Sequence, residues 1–118
     1  MMSFILFCLV VVRSHCLFST LLQTLSEPSS AIWTMDMTYN NSMLVMGGID
    51  RIVFVYSIND AQFNSNQNIT DFGSDVWTVD ITADGGWLLV VEFVGINRIY
   101  LFSYTENKFS LIQVINNG

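Results

Sequence analysis

Two aspartates, Asp36 and Asp80, occupy matching places in the segments Ile32-Trp33-Thr34-Met35-Asp36-Met37-Thr38 and Val76-Trp77-Thr78-Val79-Asp80-Ile81-Thr82. Paired carboxylates can bind a cation, but calcium takes about six to eight oxygen ligands and two aspartates fall short. Their presence in both segments favours a structural use, each accepting hydrogen bonds from its own turn or from a neighbouring backbone N–H. On that reading, replacing Asp80 with Asn lowers stability by about 1–2 kcal/mol. Trp33 and Trp77 could stack on a ligand, yet their repetition favours packing, each filling the space between adjacent sheets. Trp87 has Met43 as its counterpart and is expected to be the more exposed tryptophan. His15 and Cys16 are adjacent, so on a strand they point to opposite faces and cannot form a nucleophilic pair. No phosphate-binding glycine loop, metal-spaced Cys/His set or serine elbow is present. The expectation is therefore a chain with no catalytic, cofactor-binding or metal-ligating residues, and not an enzyme.

The composition is 52% hydrophobic and 12% charged, which excludes disorder and points to dense packing. With a net charge of −6 and only four scattered cations, Arg13, Arg51, Arg98 and Lys108, it excludes a phosphate-tracking surface and so nucleic acid. Cys8 and Cys16 would close only a short loop and read as free thiols. The run from Phe4 to Val12 is too short to span a bilayer. It is long enough for a signal-peptide core, though no basic residue precedes it. Secretion is open if residues 1–16 act as a signal, in which case Asn40-Asn41-Ser42 and Asn68-Ile69-Thr70 become glycosylation sequons. An intracellular location is slightly favoured.

The elements that must carry these residues repeat. Ile32–Met46 aligns with Val76–Val90 at an offset of 44, with five of fifteen positions identical. Val53-Phe54-Val55-Tyr56-Ser57-Ile58 aligns with Ile99-Tyr100-Leu101-Phe102-Ser103-Tyr104 at an offset of 46. Gln67-Asn68-Ile69 then aligns with Gln113-Val114-Ile115, and a third such triplet, Gln23-Thr24-Leu25, lies upstream. Each unit holds four short apolar runs, about 31–38, 43–48, 52–58 and 63–69, then 75–82, 87–93, 98–104 and 108–115. Asn, Asp and Gly separate them, and Asp84-Gly85 is a strong hairpin signal. Four strands per unit at this period is the arithmetic of a propeller blade. The predicted fold is all-β: four-stranded antiparallel meanders, about two and a half blades of an incomplete β-propeller. Residues 26–70 and 71–118 are the two blades. Residues 1–25 are the outer strands of a preceding blade, with Leu9–Val12 as one of them, or a signal-like segment.

Gly47-Gly48-Ile49-Asp50-Arg51-Ile52-Val53-Phe54-Val55-Tyr56 resembles the Gly-x-Asp hairpin of the WD-repeat family, leading into a strand that ends in an aromatic. Tyr56 and Phe102 stand where that family usually carries Trp, and Ala31–Asp36 looks like its innermost strand. The Gly-His pair before each innermost strand is missing, and Ser57 and Ser103 replace the Asp of the Trp-Asp dipeptide. The second unit looks as much like lactonase-type repeats. The WD resemblance implies a non-catalytic protein-interaction scaffold, a fragment of a larger propeller, with protein partners and no membrane span. The lactonase-type resemblance implies part of an enzymatic propeller, with Asp36 and Asp80 among acidic channel residues. In either case the last blade exposes an apolar flank, expected to carry Leu101, Phe102 and Ile112 and to favour self-association.

Overall fold

The structure, a computed structural model, describes residues 4–7, 21–28, 30–94 and 96–117. The described elements are all strands: β1 Phe4–Phe7, β2 Leu21–Leu25, β3 Ile32–Met37, β4 Met43–Gly48, β5 Val53–Asn59, β6 Gln62–Ile69, β7 Val76–Ile81, β8 Trp87–Val94, β9 Ile96–Thr105 and β10 Lys108–Asn117. They form two four-stranded antiparallel sheets in chain order, β3-β4-β5-β6 (blade 1) and β7-β8-β9-β10 (blade 2), while β1 pairs with β2. Every strand expected within the two repeats is present, with ends shifted by at most two residues. No helix among the described residues is long and apolar enough to cross a membrane. The expected strand Leu9–Val12, the Cys8–Cys16 pair and His15 lie outside the described residues.

Matching turn chemistry builds both blades. Asp60-Ala61 and Glu106-Asn107 have φ values of 51°, 60°, 52° and 65°, the two positive-φ positions of a two-residue hairpin whose twist suits its strands. Between the two inner strands of blade 2, Asp84 Oδ1 accepts from Gly86 N (2.8 Å) and Thr82 Oγ1 (2.9 Å). Asn40 Oδ1 does the same in blade 1 for Ser42 N (3.1 Å) and Thr38 Oγ1 (2.8 Å). These side-chain acceptors replace the ladder bonds that a turn forfeits. The Asp84 carboxyl is held below the usual carboxylate range, first by the Gly86 backbone bond and then by Thr82.

Both sheets also carry bulges at equivalent places. The register skips Trp33 in β3 and Trp77 in β7, and Asn66 in β6 and Ile112 in β10. The blades stack face to face. Met43, Val45, Val53, Val55 and Ile69 of blade 1 pack on Val76, Val79, Leu88, Val90, Tyr100 and Phe102 of blade 2. The opposite face of blade 1 buries Leu44, Met46, Phe54, Tyr56 and Phe63 with Leu25 of β2. This two-sided burial explains why β4 is buried at every position and lacks hydrophobic alternation. Phe102, expected on the outer flank of blade 2, is instead buried between the blades. Residues along a strand alternate faces, so Leu101 and Phe102 cannot share a flank.

Candidate interaction surface

Asp36 is a junction residue. Its Oδ1 accepts from its own neighbour Met37 N and its Oδ2 from Ile81 N across the blade boundary, both at 2.9 Å. Thr34 Oγ1 accepts from Val79 N at 3.1 Å in the same boundary. Asp36 thus matches the structural expectation. Asp80 differs: among the described residues no backbone N–H bonds its carboxylate, which is exposed beside Asp36. The hydrogen bond shared with Asp36 is the main cause that holds the Asp80 carboxyl above the usual carboxylate range, with desolvation and repulsion adding to it. The expected stability loss on replacing Asp80 therefore lacks the bond it assumed. Among the described residues no group of three His, Cys, Asp or Glu could hold a metal ion.

The outer ends of the sheets are tied by a second device that the sequence did not disclose. The Gln67 side chain donates from Nε2 to Phe109 O (2.9 Å) and accepts at Oε1 from Phe109 N (2.7 Å). Gln23 holds Phe63 in the same way, at 3.1 and 2.7 Å. An amide side chain satisfies both backbone groups at the opening of the next outermost strand, which ladder bonds leave free there.

Glu92 is the other residue missed. It is buried, and its carboxylate accepts from Gly73 N (2.9 Å), Ser74 N (3.3 Å), Arg98 Nη1 (2.8 Å) and the Tyr100 hydroxyl (2.8 Å). Burial raises the Tyr100 hydroxyl pKa, and the hydrogen bond to Glu92 raises it further. The Arg98 guanidinium is raised first by its hydrogen bond to Tyr100 and next by the Glu92 charge. In blade 1 the Tyr56 hydroxyl donates to Glu27 Oε1 at 2.6 Å, and burial followed by that bond pushes its pKa well up. These acids fasten the segment before each innermost strand to its sheet.

Trp33 and Trp77 do not fill the space between blades. Each sits at a bulge, is exposed at 47% and 55%, and meets the other edge to face at 5.6 Å. A bulge breaks the two-residue alternation and re-aims the side chain, which the sequence pattern alone cannot show. Phe93 extends the cluster, 5.5 Å from Trp77 and 52% exposed. The two tryptophans line a cavity of about 490 Å³. Trp87, expected to be the most exposed tryptophan, is no more so than Trp33, at 47%.

No protein-family model matches the sequence, and no curated protein matches it. A crystal structure does match: that of Saccharomyces cerevisiae Sqt1, with a TM-score of 0.70 and 14% identity, over 80% of this chain and 25% of that one. This chain thus spans about a quarter of the length of the structure it resembles. At that identity the likeness is one of fold, and together with the two meanders it shows the sheets to be blades of a β-propeller fragment.

Proposed function

We propose that this chain is a non-catalytic protein-interaction scaffold built from WD-like blades, and that its contact surface is the Trp33–Trp77–Phe93 patch. The observation that carries the reading is the outward turn of both tryptophans at their bulges, over an open cavity, despite a large apolar area left in water. Half-exposed tryptophans side by side are the residues that anchor partner chains, since each offers a broad apolar face and an indole N–H donor. The structural likeness to Sqt1 agrees with this at the level of fold. In this reading β1 and β2 are outer strands of a preceding blade, because Gln23 of β2 grips blade 1 as Gln67 grips blade 2.

Peptide display against the immobilised chain tests it. Enriched peptides should bind the wild type at least tenfold more tightly than the Trp33→Ala, Trp77→Ala chain, with the β-sheet circular dichroism of the two alike. Enrichment indifferent to the tryptophans sinks the assignment. The second reading, part of an enzymatic propeller, rests on the adjacent Asp36 and Asp80 carboxylates. It stands second because Asp36 already spends both oxygens on backbone N–H groups. A melting temperature raised by calcium and made insensitive to calcium by Asp80→Asn would reverse that order.

A further inference from the structure

The face of blade 2 that points away from blade 1 repeats, position for position, the face of blade 1 that blade 2 covers. In blade 1 the covered residues are Met43, Val45, Val53, Val55 and Ile69. Their counterparts in blade 2 are Trp87, Leu89, Ile99, Leu101 and Ile115. All five are large and apolar, and none is fully buried: Leu89 is 41% and Ile115 47% exposed, while Ile99 and Leu101 are half-buried. The polar grips recur as well. Thr34 and Gln67, which hold backbone groups of blade 2, correspond to Thr78 and Gln113. Neither of those has a side-chain partner among the described residues, and Asp80 stands where Asp36 reaches across to Ile81 N.

From this correspondence we infer that the outer flank of blade 2 is a docking surface for a further four-stranded blade of the same repeat. The occupant is defined by its chemistry. Its innermost strand offers two backbone N–H groups to Thr78 and Asp80, and its outermost strand opens with an N–H and a C=O that Gln113 holds together. Its covering face presents buried aromatics like Tyr100, Phe102 and Phe109, which fill the equivalent place at the existing junction. A second copy of this chain fits less well. Its matching face is that of blade 1, where Phe63 N and O are already taken by Gln23, so Gln113 would find no partner. This surface is separate from the tryptophan patch and does not depend on its role.

The test appends a second copy of residues 71–118 after Gly118 of the full chain and follows urea unfolding. Docking predicts one cooperative transition with a midpoint above that of the 118-residue chain. Leu89→Asp with Gln113→Ala in the original copy should abolish the gain while leaving the midpoint of the unextended chain unchanged. Should the double variant itself unfold, Gln113→Ala alone carries the test, with a partial loss of the gain expected. An appended unit that melts separately overturns the inference. So does a concentration-dependent dimer of the unextended chain, seen by sedimentation and abolished by the same substitutions, since a second copy would then be the occupant.

Discussion

Blade 1 and blade 2 solve one packing problem in opposite ways at a single equivalent position. Gly48 ends β4 against Ala31, whose carbonyl accepts from Ile49 N at 3.1 Å. A Cβ on Gly48 would lie 2.0 Å from that carbonyl oxygen, so only the absence of a side chain lets the incoming segment close on the sheet. The counterpart in blade 2 is Glu92, and the counterpart backbone bond, Phe93 N to Asp75 O, is kept at 3.2 Å. There the incoming segment is held from within, by a buried carboxylate that accepts from Gly73 N and Ser74 N. The tyrosines moved too. Tyr56 and Tyr100 are not counterparts, since Phe102 and Phe54 occupy the matching places, yet each donates to a glutamate. What the repeat conserves is therefore the strand geometry and the backbone bond, not the side chains that secure the entering segment.

The sharpest way to break this comparison is Glu92→Ala. It strands Tyr100, Arg98 and two backbone donors together, and losing one partner of a buried ionic network costs about 3–5 kcal/mol. Arg98 is 44% exposed and can turn to water, which places the loss toward the lower end. Urea denaturation should show it as a shift in midpoint at constant slope. An effect below about 1 kcal/mol would mean that the network is ornamental and that blade 2 relies on the same backbone approach as blade 1.

Gly48→Ala is the matching experiment in blade 1. Its Cβ meets backbone, which cannot step aside, so a loss near the upper end of the usual overpacking range of about 1–3 kcal/mol is expected. Gly47→Ala meets the Val76 side chain at 2.6 Å across the blade boundary and should cost less, because a side chain yields more readily than a carbonyl. Equal losses, or the reverse order, would show that the blade boundary is the stiffer contact.

Much of the fold is legible in the sequence, for a physical reason: turn residues and apolar runs repeat together, and only a stacked four-stranded unit satisfies both at this period. Thr82-Asp84-Gly86 and Thr38-Asn40-Ser42 mark the turns openly. The candidate site was less legible. Bulges at Trp33 and Trp77 leave no local mark, because an extra residue in one strand is visible only against its partner. Glu92 looks like an ordinary solvated acid inside an apolar run, and only burial beside Arg98 reveals its role. The glutamine clasp had a signal, the triplet that recurs at Gln23, Gln67 and Gln113, but a pattern in sequence does not say which backbone it holds.

The inner strands offer a gentler contrast, between two aspartates of the same type at the same place in the repeat. Asp36→Asn turns one of two acceptor oxygens into a donor and leaves Met37 N or Ile81 N facing it. The expected loss is about 1–2 kcal/mol, that of one charge-assisted bond, read from the urea midpoint.

Asp80→Asn should do the opposite and do it weakly. The folded chain holds the Asp80 proton more tightly than the unfolded chain does, because Asp36 lies beside it. A group with a raised folded pKa stabilises fully below the unfolded carboxylate value of about 3.9 and loses that stabilisation as pH rises through the folded value. As pH rises and Asp80 gives up that proton, its charge is placed beside the Asp36 carboxylate, whereas the asparagine chain carries no charge at residue 80. Asp80 is exposed and its repulsion with Asp36 is screened by solvent, so the gain from Asp80→Asn at pH 7 should be only a few tenths of a kcal/mol. The informative quantity is the difference in stability between wild type and variant as pH falls from 7 to 3.5. Taking that difference cancels the contributions of the other carboxylates, including Asp84, whose lowered pKa works in the other direction. The advantage of the variant should fade or reverse as Asp80 takes up its proton. A loss of stability that is flat across this range would instead make Asp80 a hydrogen-bond acceptor like Asp36, and the two inner strands would then be alike.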